Sequence, residues 1–332
     1  GAISGPVTNT LRLDTENSAS LLIVSNTANS WLGETTIAGP GVVRLGTAGV
    51  LPDDGANVSI NSGSTLDVNG NEEAIGGLFG AGRLDNRAAG APVILTTGGN
   101  NNSPTFSGIL TNSGANSPFS LVKVGTGIQT FSGTNTFGGF VRVEAGTLAL
   151  SSAADLAAAT AVTVNAGATI MTIARSDGAL NVVAGQVLDG AGTVIGLVSN
   201  LGAVAPVGTL TITGSYVQGA SGALRLDLAG ASSYDRLRAT GAGTLSGLLD
   251  VSLDSFSPAA SDTFTLASFA SRSGAFASTN LPSLSAGLGW LVQYSSTSVV
   301  LVVTGAPPVT GYDAWAGAIT NGLTNFNESA TG

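Results

Sequence analysis

The sequence predicts an all-β fold, namely a right-handed parallel β-helix (solenoid) with a C-terminal β cap and a short terminal helix. Three observations favour this fold class. Short apolar runs recur along the chain, two long segments share one pattern, and glycine, which occurs 48 times, punctuates the runs. Stacked coils of short strands explain all three, because each coil needs frequent bends and buries the same kind of residue as the next.

The predicted strands are short runs in which apolar and polar residues alternate, bounded by Gly, Asn, Ser or Asp. Alternation with a period of two is typical of a β-strand with one buried face. The shortness of the runs favours the coils of a solenoid over a sandwich built from longer hairpins. The predicted strands are residues 21–24, 35–37, 42–45, 58–60, 65–68, 93–96, 121–124, 140–143, 147–150, 162–164, 169–173, 193–198, 209–213 and 223–228.

An internal repeat supports the solenoid. Residues 29–66 align with residues 135–170 in pattern as well as in composition. Such self-similarity marks a repeat protein, in which inward Val, Leu and Ile form continuous columns about 4.8 Å apart from coil to coil. The aligned pairs are Trp31 with Phe137, Ile37 with Val143, Val43 with Leu148, Leu45 with Leu150, Leu51 with Leu156, Val58 with Val162, and Gly63 with Gly167.

Composition excludes several classes of function. The chain has no Cys and no His, so thiolate nucleophiles, imidazole bases and common zinc sites cannot be built. Lys and Arg total 11, with Lys123 the only lysine, against 20 Asp and Glu; the net charge of −9 disfavours nucleic acid as a partner. No run of about 18 apolar residues predicts a membrane-spanning helix. We expect no cofactor, no metal, no nucleic acid and no membrane insertion.

Asp53 and Asp54 are the obvious candidate catalytic pair. Paired carboxylates could supply the general acid and base of a glycan-active β-helix enzyme. Such an enzyme also needs a further Asp, a His and a basic substrate clamp, and no Lys or Arg lies near the pair in the sequence. Residues 51–55 are also an ordinary turn sequence. We therefore interpret the pair as a turn and predict no catalytic residue.

Two other oxygen-rich segments could bind ligands. Glu72 and Glu73 follow an Asn-Gly-Asn turn that could hold Ca²⁺, but their spacing matches no calcium loop, so we interpret them as a solvated corner of like charges. Asn100, Asn101 and Asn102 could extend an asparagine ladder or contact glycans. Because they lie between two glycines and a Ser-Pro pair, we predict a surface loop.

One strand carries a row of threonines. Thr209, Thr211 and Thr213 alternate along it and could form part of a flat, ice-binding threonine array. A single row in a single strand is weak support for such an array. We interpret the row as an ordinary polar outer face.

Three aromatic residues could stack against sugars. Trp31, Phe137 and Phe140 each occupy a position in the repeat where a solenoid fills or caps its interior. We interpret all three as core-packing residues.

The unit NTFGGFVRVEAGTLALSSAADL, which begins at Asn135 and leads into VTVNAGATI, resembles the passenger-associated transport repeat of bacterial autotransporter passengers. Downstream, GTVIGLVSNLGAVAPVGTLTITGSYVQGASGALRLDLAG and SYDRLRATGAGTLSGLLDVSL resemble the last coils of such passengers, near their C-terminal end. Together the resemblances cover most of residues 20–303. They imply a parallel β-helix on a secreted or surface-exposed protein, whose C-terminal coils support folding and stability.

Three regions are predicted along the chain. Residues 1–233 form the parallel β-helix with repeats, and residues 234–305, where the intervals between apolar runs lengthen, form a C-terminal β cap. Residues 255–261 and 271–287 are expected to interrupt the strands of this cap. Residues 306–332 form a linker and a short amphipathic helix or tail after Pro307-Pro308. The apolar residues of this helix recur at steps of three and four, and they are Tyr312, Trp315, Ile319, Leu323 and Phe326.

The sequence therefore predicts a secreted, cell-surface structural or adhesive segment that is not an enzyme. Stacked coils with open ends could also associate into a homo-oligomer or filament. A glycan or a host or cell-surface receptor is the expected ligand. The alternatives are a glycan-active β-helix enzyme, with Asp53 and Asp54 as acid and base, and a glycan-binding or ice-binding module.

Overall fold

The computed structural model describes residues 1–5, 10–51 and 55–305, and all regular structure in these ranges is β. The backbone winds as a three-sided parallel solenoid of about 11 coils, which confirms the predicted fold class. The predicted helix spanning residues 312–326 lies outside the described residues. Within those residues, no helix is long and apolar enough to cross a membrane.

The described residues form 36 short strands. The first half of the series is β1 (Ser4–Gly5), β2 (Leu11–Asp14), β3 (Leu21–Val24), β4 (Ser30–Trp31), β5 (Thr35–Ala38), β6 (Val42–Leu45), β7 (Asn57–Ile60), β8 (Thr65–Asp67), β9 (Glu73–Ile75), β10 (Gly77–Gly80), β11 (Arg83–Asp85), β12 (Val93–Thr97), β13 (Thr105–Phe106), β14 (Ile109–Thr111), β15 (Phe119–Lys123), β16 (Ile128–Phe131), β17 (Val141–Val143) and β18 (Thr147–Ser152).

The second half of the series contains the longer strands. It is β19 (Ala161–Val164), β20 (Thr169–Arg175), β21 (Ala179–Val182), β22 (Val187–Gly190), β23 (Thr193–Ile195), β24 (Leu197–Asn200), β25 (Ala203–Pro206), β26 (Thr209–Thr213), β27 (Tyr216–Gln218), β28 (Ala223–Leu228), β29 (Arg236–Ala239), β30 (Ala242–Leu245), β31 (Leu248–Leu253), β32 (Thr263–Ser268), β33 (Ser271–Gly274), β34 (Ser278–Asn280), β35 (Leu288–Tyr294) and β36 (Ser298–Gly305).

Each side of the solenoid is a sheet in which successive coils stack. The first face is a 14-stranded sheet in the order β2-β5-β7-β10-β13-β16-β18-β20-β23-β26-β29-β32-β36-β35. The second face consists of two five-stranded sheets, β3-β6-β8-β11-β14 and β21-β24-β27-β30-β33. The third face is a ten-stranded sheet that runs from β9 to β34. A two-stranded pair, β1 with β4, adjoins the first coils.

The core is a set of continuous columns inside the three faces. On the third face one inward position is apolar in seven successive coils, and its members are at most 2% exposed. Because a fully buried aliphatic side chain contributes roughly 1.5–3 kcal/mol, such columns are the main stabilising feature. The column comprises Leu121, Val141, Val162, Leu188, Val204, Leu224 and Leu249.

The internal repeat is real as a turn pattern, but the aligned residues do not share a face. Ile37 lies on the first face in β5, whereas its aligned partner Val143 lies on the third face in β17. On all three faces, inward apolar residues alternate with outward residues. Aligning a strand of one face with a strand of another therefore still matches apolar residues with apolar residues. What recurs is the glycine turn: Gly63 and Gly167 have φ of 83° and 81°, and each following residue donates its N–H to the carbonyl three residues back.

One predicted strand is divided by a corner. Residues 193–198 were expected to form a single strand, but Gly196 separates β23 on the first face from β24 on the second. Its φ of 138° favours glycine, and an added Cβ would overlap the hydroxyl of Thr172. A single glycine is therefore enough to turn the chain between two faces.

The C-terminal coils remain parallel until residue 280, and an antiparallel hairpin follows. Residues 271–287 were expected to interrupt the strands, but β33 and β34 lie within them and continue the second and third faces. These two strands are mostly exposed Ser, Thr, Asn and Gly, so they lack the apolar alternation that predicts a strand. Strands β36 and β35 then add antiparallel to the first face. Parallel stacking passes through residue 234 without a break, and the domain boundary there stays a prediction.

Candidate functional site

The predicted acid pair lies outside the described residues, but its surroundings are defined. Asn100 extends over the neighbouring chain at Gly55 and donates its Nδ2 to the Gly55 carbonyl at 2.7 Å and to Asn57 Oδ1 at 2.6 Å. On the other side, Asn101 Oδ1 accepts the backbone N–H of Thr126 at 2.7 Å. The asparagine triplet is therefore an exposed loop whose amides also tie it to the coils on both sides.

The predicted solvated corner is only half correct. Glu72 is exposed, but Glu73 is 4% exposed and begins β9. Its carboxylate accepts the backbone N–H groups of Val50 and Leu51, at 3.2 and 3.3 Å, from the preceding coil. A buried carboxylate needs such hydrogen-bond donors. Here the Glu73 carboxylate provides the acceptors that a neighbouring strand would otherwise offer to these two N–H groups. In the described ranges no three acidic side chains are arranged to hold a metal ion.

The aromatic residues divide between core and surface. Trp31 and Phe137 are 2% and 1% exposed, and Trp31 donates its indole N–H to Thr35 Oγ1 at 2.8 Å. Phe140 was also interpreted as core, but it is only half-buried, and the Arg142 guanidinium lies 5.7 Å from its ring centroid. Of the three, Phe140 alone could contact a ligand.

One member of the predicted threonine row, Thr211, belongs to a column of threonines that crosses successive coils and that sequence inspection missed. Thr211 lies outward in register with the first residues of β23, β20 and β18, which are also threonines. The neighbouring outward column is mostly apolar, so the surface is a single line of hydroxyls beside apolar side chains. The two columns are Thr147, Thr169, Thr193, Thr211 and Ala149, Met171, Ile195, Thr213.

A buried ion cluster on the second face was also missed. The carboxylates of Asp67 and Asp85 are fully buried in adjacent coils, and Arg44 Nε lies 2.7 Å from Asp67. Arg83 and Arg87 lie 3.1 and 3.0 Å from Asp85. Burial alone would raise the pKa of Asp85, but hydrogen bonds from a serine and from Arg87 hold it below its usual value. The signal was available: Thr-Leu-Asp and Arg-Leu-Asp recur 18 positions apart in paired strands.

A polar groove follows the edge of the third face. Its two adjoining cavities, about 470 and 300 Å³, share Asp227 and Asp235. The Asp235 carboxylate accepts the backbone N–H groups of Gly208 at 2.6 Å and of Asp227 at 3.0 Å. These hydrogen bonds hold the loop between Asp227 and Asp235 in place. Burial, together with the nearby charge of Asp227, raises the pKa of Asp235. Asp189 and Asp250 complete the acidic lining of the smaller cavity. The groove can present hydrogen-bond acceptors to a polar ligand.

Comparisons with known proteins agree with this architecture. Residues 121–150 match the family model described as the passenger-associated-transport-repeat. The chain is also 29% identical over 154 residues to the adhesin BmaC autotransporter of Brucella suis biovar 1 (strain 1330). Over these segments the chain is similar to autotransporter passengers that carry this repeat. The aligned region covers 46% of the chain and only 4% of the length of that adhesin.

Within the matched passenger-associated transport repeat, Lys123 is the most unusual residue. The only lysine of the chain is 0% exposed at the end of β15. Its Nζ donates to the carbonyl oxygens of Val124 at 2.6 Å, Gly125 at 2.9 Å and Ala145 at 3.3 Å. Burial disfavours the charged form and lowers the pKa of Lys123 to about 8. The ammonium group therefore joins two coil corners inside the repeat.

The passenger-associated transport repeat also contains a buried amide that replaces part of a strand. Strand β10 pairs with β13 only at Gly80 and Phe106, and the ladder does not extend back to Leu78. Gln129, 0% exposed and one coil further, fills this position. Its Oε1 accepts the Leu78 N–H at 3.1 Å, and its Nε2 donates to the Leu78 carbonyl at 3.0 Å.

We expect Lys123 to give the repeat an alkaline pH dependence. Between about pH 8 and the ordinary lysine pKa of 10.5, the unfolded chain binds more protons at this site than the folded chain. The free energy of unfolding should therefore rise with pH across this window, by up to about 3 kcal/mol. Chemical denaturation from pH 7.5 to 10.5, compared between the wild type and Lys123→Met, measures this contribution. Parallel pH profiles for the two proteins would contradict it.

Proposed function

We propose that this chain is a non-catalytic adhesive segment of a longer extracellular or cell-surface protein. The match to the passenger-associated-transport-repeat within an unbroken parallel solenoid carries the proposal. The resemblance to a protein named as an adhesin supports it further. A solenoid suits this role because its core depends on inward residues alone, which leaves the outer faces free to carry a binding surface.

The chemistry of the chain supports a non-catalytic role. It has no His or Cys, and its only lysine is enclosed by three backbone carbonyls. The most buried carboxylates, Asp67 and Asp85, are held by arginines. The alternative is a glycan-active enzyme that uses Asp53 and Asp54.

A glycan or a cell-surface receptor is the proposed ligand. The polar groove at Asp227 and Asp235 and the half-buried ring of Phe140 are the surfaces that could contact it. Self-association through the ends of the solenoid is part of the same proposal, because open strand edges are natural docking sites.

Surface display and adhesion can be tested together. Antibodies raised against the folded chain should stain intact cells that produce the full-length protein, and beads coated with the purified chain should bind target cells saturably. Free chain should compete with the beads, and beads coated with an unrelated acidic protein provide the control. Staining that appears only after permeabilisation would contradict surface display. Release of reducing sugars from polysaccharides by the wild type, and not by Asp53→Asn/Asp54→Asn, would favour the enzyme.

A further inference from the structure

The first face ends in a strand that is only half covered. Among the described strands, β35 pairs with β36 alone. In β36 the inward Val299, Leu301 and Val303 are at most 1% exposed. The inward residues of β35, by contrast, include Trp290 and Val292, which contact the core but are only half-buried. The apolar core therefore reaches the surface at this edge.

Within the described residues, strand β35 lacks the charges, proline and bulge that usually protect an edge strand from pairing, although the indole N–H of Trp290 donates to the Pro282 carbonyl at 2.8 Å. Natural edges are short or carry charged residues, proline or bulges. Strand β35 has seven residues, and residues 273–305 contain no Asp, Glu, Lys or Arg. At the opposite end of the first face, β2 has only four residues and carries Arg12 and Asp14 on exposed positions. The two ends of the solenoid thus differ in their readiness to pair.

We propose that β35 binds β35 of a second copy of this chain in an antiparallel pair. An antiparallel edge is self-complementary, so a two-fold axis brings together the same strand from both copies. With the axis at Leu291, the central residue, Trp290 of each copy lies opposite Val292 of the other. The first faces of both copies then join into one continuous sheet. The pairing closes on itself, so it produces a dimer and not a filament.

Charge favours a second copy as the occupant. The chain has a net charge of −9, so two copies repel each other over most of their surfaces. The uncharged stretch at 273–305 lets them approach without that repulsion. The proposal rests on the self-association part of the proposed function and narrows it to the C-terminal edge.

The oligomeric state of the full chain tests this inference. Light scattering after size exclusion, at concentrations up to about 100 µM, should give twice the monomer mass of 32.4 kDa. Leu291→Lys with Gln293→Lys places like charges across the pair, and both side chains are exposed, so the dimer should be lost without unfolding the chain. The control is Ile173→Lys, an isoleucine away from the edge that is 62% exposed against 46% for Leu291, and it should leave the dimer intact.

A second measurement tests the register. Because the chain has no Cys, Leu291→Cys introduces a single thiol, and opposed residues in an antiparallel pair lie within disulfide distance. Mild oxidation should give a covalent dimer with Leu291→Cys and not with Ile173→Cys. A monomeric wild type, a filament, or a dimer that survives both edge lysines would each overturn the proposal. Adhesion assays do not depend on this edge, so failure of the proposed function would appear separately.

Discussion

We expect Gln129→Leu to lower the free energy of unfolding by about 3 kcal/mol or more, the largest effect of any single polar substitution in the repeat. The leucine retains a side chain of similar size but leaves the N–H and carbonyl of Leu78 without partners, in a position that is 0% exposed. An unsatisfied buried backbone group costs about 1–3 kcal/mol, and this change creates two. Urea denaturation followed by far-UV circular dichroism measures the loss.

The matched control is the same substitution at an exposed glutamine. Gln293→Leu removes an amide from the surface of β35 and should change stability by less than about 0.5 kcal/mol at concentrations where the chain is monomeric. If Gln129→Leu were as mild as Gln293→Leu, the amide of Gln129 would not be replacing a strand partner for Leu78.

The second large effect is expected at a glycine in the first face. Gly80 has a φ of 95° and is in register with Ile60 of the preceding coil. A Cβ added there would overlap the carbonyl oxygen of Ile60, which is backbone and cannot rotate away. Gly80→Ala should therefore cost about 3–4 kcal/mol, because the left-handed conformation is strained and two coils must separate.

Gly63 separates the two contributions to that cost. Its φ of 83° is similar, but an added Cβ would have no atom within 4 Å. Gly63→Ala should cost only the conformational part, about 1–2 kcal/mol. Thermal denaturation of both variants gives the comparison, and equal losses would show that contact between coils at Gly80 adds nothing.

The sequence was sufficient to predict the solenoid, because inward residues such as Val141 and Leu188 alternate with outward residues in most coils. It could not assign faces, since Ile37 and Val143 lie in runs of the same kind on different sides of the molecule. Strand β35 was not predicted either. Apolar and polar residues do not alternate regularly along this strand, because some of its apolar residues point toward the core and others, such as Leu291, point outward.

The polar side chains inside the coils were the least predictable feature. Glu73, Lys123 and Gln129 are polar residues. Where apolar and polar residues alternate, the polar ones are predicted to face the solvent. Each is buried because a neighbouring coil leaves a backbone group to be paired: the N–H groups at Val50 and Leu51 for Glu73, for example. Such a need arises from the stacking of coils of unequal length, which no local pattern records.

The register of the coils has a consequence for folding kinetics. Paired residues in neighbouring parallel coils are 16 to 30 positions apart, as Val187 with Ala203 and Leu237 with Ala267. For a chain of 332 residues the relative contact order is roughly 0.07, in the range of helical bundles and far below that of β-sandwiches. Loop closure is then a small entropic barrier at each step, and a new coil can add as soon as about two dozen residues are available. An all-β chain of this length can therefore fold progressively from one end, without waiting for distant segments to meet.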